Sequence, residues 1–174
     1  TSHQSFGDFL KEVKLTQASD SNPLPLEFTP CDFSDPLYIL YSSGTTGVPK
    51  CIVHSVGGTL IQHKKELLLH SDISSDSTLL YFTTCGWMMW NWMVSALSVG
   101  AKVVLFEGSV SNPDLTVLWK VAADTGATHF GTSPKFMATC ITASVVPKDC
   151  ADLSKLRCVL STGAPLLPEH FEWI

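Results

Sequence analysis

The chain has 174 residues, 45% of them hydrophobic and 16% charged, and a formal net charge of −5. That is enough apolar material for one well-buried core, and it excludes disordered and fibrous classes. The acidic balance supplies no basic face for nucleic acid and no lysine run for anionic lipid, which leaves small-molecule chemistry as the expected territory.

In chain order, residues 1–36 carry four of the ten prolines and many small polar residues. They read as a surface approach segment with one short helix around Phe9 to Val13. From Leu37 the pattern changes to short β-type runs over 37–42, 51–55, 79–83, 102–106, 128–131 and 157–161. These runs are apolar nearly throughout, as strands covered on both faces are. A helix is predicted from Gly58 to His70, with Leu60, Ile61, Leu67 and Leu68 inward and the stretch "HKKE" outward. The run "WMMWNWMVSALSVGAKVVLF" approaches the length of a membrane span, but Asn91, Ser95, Ser98, Gly100 and Lys102 interrupt it. A helix that ends at Gly100 and a following strand account for it better, with Trp90 and Trp92 in the core.

Asn112 as a cap and Pro113 in the first turn open a further helix, whose Leu115, Leu118, Trp119 and Ala122 recur at helical spacing until Gly126 closes it. Ser133 and Pro134 open the next, with Phe136, Met137, Cys140 and Ile141 as its buried stripe. Pro168 stands at the first turn of a last helix. Strand and helix alternating at this spacing predict an α/β fold, a mostly parallel sheet with helices on both faces. Ligands of such sheets gather at the carboxyl ends of the strands. The loops "SSGTTGVPK", "TTCGWMM" and "STGAPLLPE" are expected to share that edge.

The six cysteines at 31, 51, 85, 140, 150 and 158 form no C-x-x-C pair. Most sit in apolar segments and read as buried thiols of a reducing compartment, and the absence of a sequon or signal pattern points to the cytosol. No metal site is assigned. His63 and His70 are two helical turns apart, and His54 reads as a sheet-end residue. The chain starts without methionine and stops inside a helical pattern, so it is expected to be a piece of a longer protein of open oligomeric state.

The richest stretch is "YILYSSGTTGVPK", Tyr38 to Lys50. Glycines admit positive φ and close backbone approach, hydroxyls donate hydrogen bonds, and a lysine adds charge, a composition suited to cradling phosphate. It is neither a Walker A loop, because Lys50 stands three residues after Gly47, nor a G-x-G-x-x-G turn.

In its residue order the stretch resembles the phosphate-binding signature of the adenylate-forming superfamily, which includes acyl-CoA synthetases, luciferases and the adenylation domains of peptide synthetases. "CGWMMWNWMVSAL", "VVLFEGS", "HFGTSPKFM" and "LSTGAPLLPE" are similar to its acetoacetyl-CoA synthetase branch. The resemblance covers Tyr38 to the chain end and implies that residues 37–174 are part of a large N-terminal AMP-binding domain, without the small C-terminal domain. It implies a ligase that joins acetoacetate and coenzyme A in two steps, through an acyl-adenylate made from ATP with release of pyrophosphate. Mg²⁺ would take most of its ligands from outside this chain.

By the same resemblance, Ser42, Ser43, Gly44, Thr45, Thr46, Gly47 and Lys50 would hold the phosphates, with Thr45, Thr46 and Lys50 acting in catalysis. Trp87, Met88 and Met89 would line the acyl pocket, and Gly163, Ala164 and Pro165 would form the shelf for adenine. Ala164 stands where related enzymes often carry an acidic residue. Two other readings stay open: a synthetase for another short-chain acid, and a non-catalytic nucleotide-binding module. The chain by itself is expected not to turn over and to leave apolar faces uncovered.

Overall fold

The computed structural model describes Lys11, residues 27–42 and residues 47–174. The chain divides into two units, Thr1–Cys31 and Asp32–Ile174. In the first, Lys11 is helical and residues 27–31 lack regular structure. The rest of the helix expected around Phe9 to Val13 lies outside the described residues.

The second unit opens with β1 (Pro36–Ser42) and β2 (Lys50–Ser55), which pair with each other antiparallel and, among the described residues, with no other strand. A parallel pair needs a crossover of a dozen or more residues, and the short connection over 43–49 allows only a return. The first of the three special loops therefore belongs to a hairpin, and not to the sheet edge where the sequence reading put it. Ser55 then caps α1 (Val56–Lys65), accepting from the Gly58 N–H at 3.3 Å, and the last turn widens into a π-helix over Glu66–His70.

The parallel sheet follows, built from β3 (Thr78–Tyr81), β4 (Lys102–Val104), β5 (His129–Thr132) and β6 (Cys158–Ser161) in the order β4-β3-β5-β6. Between them run α2 (Met88–Ser95) with a 3₁₀ turn over Ala96–Val99, α3 (Val117–Thr125), α4 (Pro134–Thr142) and α5 (Pro147–Cys150); α6 (Pro168–Trp173) closes the chain. Crossovers between parallel strands keep one hand. The step from β3 to β4 goes one way along the sheet and the steps to β5 and β6 go the other, so α2 must lie on one face and α3 and α4 on the opposite one.

The core divides accordingly. Leu79 and Tyr81 pack with Leu67, Trp92, Met93 and Ala96 on the α1–α2 side. Leu80 and Phe130 pack with Leu118, Trp119, Ala122, Phe136 and Cys140 on the α3–α4 side. All eight residues of the central strands β3 and β5 are buried, which is why their sequences show no polar alternation. Full burial of one such Leu or Phe side chain stabilises by about 1.5–3 kcal/mol.

The helix punctuation mostly matches the sequence. Ser133 accepts from the Phe136 N–H, Pro134 sits in the first turn, and Gly126 closes α3 in the left-handed region with φ 63°, as Gly100 does with φ 80° before β4. Trp92 is buried and Trp90 packs against the same core. Helix α3 starts at Val117 rather than Pro113. The Asn112–Pro113 bond is cis, and the Asp114 carboxylate accepts from both the backbone N–H and the hydroxyl of Thr116, so a turn precedes the helix.

Helix α1 and the π turn after it depart from expectation in part: Leu67 is inward as expected, but so are Thr59 and His63, while Leu60, Ile61 and Leu68 are exposed. Two of the three inward positions are polar, so a search for an apolar stripe misses them. His63 is accommodated by a 2.7 Å hydrogen bond between Nδ1 and Ser95 Oγ. Burial, with a smaller contribution from His54, holds its pKa below the usual imidazole value. The thiols also differ from expectation: all six are free, but only Cys140 is buried, and Cys31, Cys51 and Cys85 are exposed.

Candidate functional site

The chain leaves the carboxyl end of β3 toward α2 on one face of the sheet and the carboxyl end of β5 toward α4 on the other. The two neighbouring strand ends therefore splay their loops apart, and such a switch point is where open α/β sheets form ligand crevices. A cavity of about 260 Å³ lies there, lined from β3 and its loop by Tyr81 to Thr84, Trp87 and Met89, from β5 by Thr132 and Ser133, and from β6 by Thr162 and Gly163. Another depression, of about 320 Å³, lies around Gly126, Asp152 and Lys155. Those residues lead into the strands from the amino-terminal edge, where no motif falls.

The cavity wall is fixed by an unusual contact. Tyr81 is paired in register with Gly131, and its ring covers that glycine so closely that a Cβ there would fall 2.0 Å from Cδ2. On its other side the ring meets Trp92 edge-on, with centroids 6.1 Å apart. Burial pushes the Tyr81 phenol up to about 12, so it stays protonated and able to donate at any physiological pH. Three hydroxyls at this edge, Tyr81 Oη, Thr132 Oγ1 and Ser161 Oγ, are buried without a hydrogen-bond partner.

The hairpin places the charged part of the other motif. Ser42 and Lys50 are register partners at its loop end, Gly47 has φ 120°, and Lys50 is exposed. Ser43, Gly44, Thr45 and Thr46 lie outside the described residues. Below the loop, His54 in β2 stacks obliquely on Tyr38 of β1 at 4.9 Å. The hairpin is otherwise poorly covered, with Ile39, Tyr41, Ile52 and Val53 all exposed.

Of the acyl-pocket candidates, Trp87 and Met89 line the cavity, and Met88, half-buried in the first turn of α2, is not among the lining residues. Gly163, with φ 103°, also lines it, while Ala164 and Pro165 continue as exposed loop before α6. The structure thus brings together one residue of the expected adenine shelf and two of the expected acyl pocket. Tyr81, Thr132, Ser133 and Thr162 were not singled out by sequence. The available signal was positional, since each stands at or just beyond the carboxyl end of a strand that the sequence does indicate.

The family described as AMP-binding enzyme matches residues 2–174. The chain is 50% identical over 167 residues to the acetoacetyl-CoA synthetase of Mus musculus, covering 96% of this chain and 24% of that protein. It is 52% identical over 150 residues to the acetoacetyl-coenzyme A synthetase of Rhizobium meliloti (strain 1021), covering 86% of this chain and 23% of that one. The solved acetoacetyl-CoA synthetase from Streptomyces lividans superposes with a TM-score of 0.80 at 44% identity, over 92% of this chain and 24% of that one. The chain spans about a quarter of the length of these relatives. With a match that runs from residue 2 to residue 174, the chain belongs to the AMP-binding enzyme family.

Proposed function

We propose that this chain is part of an ATP-dependent acid–thiol ligase of the cytosol that converts acetoacetate, ATP and coenzyme A into acetoacetyl-CoA, AMP and pyrophosphate. The observation that carries the reading is the convergence of three strand-end loops on one small cavity at the switch point. Phe82, Trp87 and Met89 give it apolar walls, which suit a short acyl chain.

The chemistry follows from the residues. A carboxylate is a poor acyl donor because oxide would have to leave, so its oxygen is first made part of a phosphate ester with AMP. Negative charge then develops on departing pyrophosphate, and hydroxyls, backbone N–H groups and one ammonium held at a hairpin end can stabilise it. Ser42, Gly47 and Lys50 supply such groups among the described residues, and residues 43–46 carry the remaining candidates. Trp87 and Met89 would enclose the acyl chain, and Gly163 with Ala164 and Pro165 would support the base.

Among the described residues no cluster of three or more His, Cys, Asp or Glu side chains could hold a metal ion. Mg²⁺ commonly takes only one or two protein carboxylates together with substrate phosphates, and most of its ligands would come from outside this chain. No helix of the described residues is long and apolar enough to cross a membrane. The free thiols, three of them exposed, are those of a chain kept under reducing conditions.

The test is product analysis with the full-length protein. Incubation with ATP, coenzyme A and acetoacetate is expected to yield the thioester with equal amounts of AMP and pyrophosphate, and residues 1–174 alone are expected to yield none. ADP and phosphate as products would overturn the adenylate route, and thioester made by the isolated chain would overturn its assignment as a part.

A further inference from the structure

Helix α1 turns Thr59 and His63 inward where apolar side chains would serve packing better. Buried polar groups cost stability unless they find partners, so the partners show what the helix does. The helix packs on both strands of the hairpin and on α2. On the hairpin side, Tyr38 and His54 are register partners whose rings stack at 4.9 Å. Burial raises the Tyr38 phenol above its ordinary value, and the neighbouring Thr59 hydroxyl partly offsets this.

On the α2 side, Ser95 Oγ lies 2.7 Å from His63 Nδ1 and gives its single proton to the Asn91 carbonyl at 2.9 Å. The hydroxyl must therefore accept, Nδ1 carries the imidazole proton, and a second proton taken up in acid would go on Nε2. The two elements that α1 joins carry the two halves of the candidate site. Strand β2 begins at Lys50, and α2 is capped by Trp87 and has Met89 in its first turn, both of which line the cavity.

Resting on the ligase reading above, we infer that His63 is a positioning residue for adenylation: by donating from Nδ1 to Ser95, it fixes α1, and with it the hairpin that carries Lys50, relative to the helix that borders the acyl cavity. Small misplacements of groups around a reacting centre cost rate even when every group remains present. The tie also depends on pH. Around His63, β1 offers Tyr38, β2 offers His54, and α2 has no charged residue, so among these elements nothing compensates a buried positive charge. Glu66 in the π-helix favours the charged ring, but burial outweighs it and holds the His63 pKa below its ordinary value. The neutral tie is therefore complete above about pH 6.5 and is lost as pH falls through the lower value of the folded protein.

The experiment is acetoacetate-dependent ATP–pyrophosphate exchange by the full-length protein, followed from about pH 5 to about pH 8, the range that brackets imidazole titration. Wild type would be set beside Ser95→Ala, His63→Leu and His63→Asn. Ser95→Ala and His63→Leu each remove the hydrogen bond and are expected to lower kcat about ten-fold with KM for ATP and acetoacetate unchanged. Should His63→Leu fail to fold, Ser95→Ala reads the same bond. His63→Asn keeps a donor at the Nδ1 position but takes up no proton. It is expected to hold kcat at neutral pH within about three-fold of wild type, short of one lost hydrogen bond, and to move the acid-side fall in kcat to lower pH. An acid-side fall unmoved in His63→Asn, a loss there as large as in His63→Leu, or wild-type kcat in Ser95→Ala overturns the inference and leaves the ligase reading standing. Wild-type protein without acetoacetate-dependent exchange overturns both.

Discussion

The four-stranded sheet and the β1–β2 hairpin treat similar sequences in opposite ways. Both are built from runs such as "TLLY" and "YILYS", yet all of β3 is buried while β1 alternates between exposed and half-buried positions. Apolar character decides that a segment becomes a strand; the connections decide what covers it. Helical crossovers lay α2, α3 and α4 over both faces of the sheet. The hairpin's short return brings no helix with it beyond α1, and leaves Ile39 and its register partner Val53 exposed at 53% and 60%. Stability in this chain is therefore concentrated in the sheet, and the phosphate-type residues sit on the less covered element.

Substitutions should separate the two regions. The largest effect is expected from Phe130→Ala, which empties the centre of the α3–α4 core where Trp119 packs on Phe130 at 4.5 Å. A loss of about 3–5 kcal/mol is expected in denaturant unfolding of the full-length protein. Lys50→Ala should do the reverse, lowering the rate of adenylation by about 10²–10³ with the unfolding midpoint unmoved, because its side chain is exposed at the hairpin end. A rate change confined to ATP affinity would instead support a binding module.

Gly131→Ala links the two properties. Its methyl group would collide with the Tyr81 ring, so a cost of about 1–3 kcal/mol is expected. Because the ring must leave the cavity wall, acyl-acid kcat/KM should fall with it. Unchanged stability would mean that the ring yields freely and is no rigid wall. The smallest effect belongs to the exposed pair, where Ile39→Thr and Val53→Thr should each change the stability of residues 1–174 by no more than about 0.5 kcal/mol. A loss as large as that of Phe130→Ala would place these two side chains in a core and erase the contrast between the regions.

How far the sequence was legible follows the same division. The parallel strands and helices α3 and α4 show themselves because their inward positions are apolar and their ends carry Ser133–Pro134 and Gly126. Helix α1 misleads because it buries Thr59 and His63, and the polarity of His63 is offset by Ser95, a partner elsewhere in the chain that local spacing does not reveal. The hairpin was misassigned to the sheet although its short loop already excluded a parallel partner. At the site, the family resemblance, and not composition, pointed to Trp87, Met89 and Gly163. Tyr81 and Thr132 read as ordinary strand residues, since only the register that sets them at the switch point shows their hydroxyls to be unpartnered.

The central claim is that this chain helps to make an acyl-adenylate from a short 3-oxo acid. The most direct measurement is ATP–pyrophosphate exchange by the full-length protein without coenzyme A, in the presence of acetoacetate, acetate, propionate or butyrate. Exchange that depends on the acid and is strongest with acetoacetate is the predicted result. Exchange with none of the four would contradict the account.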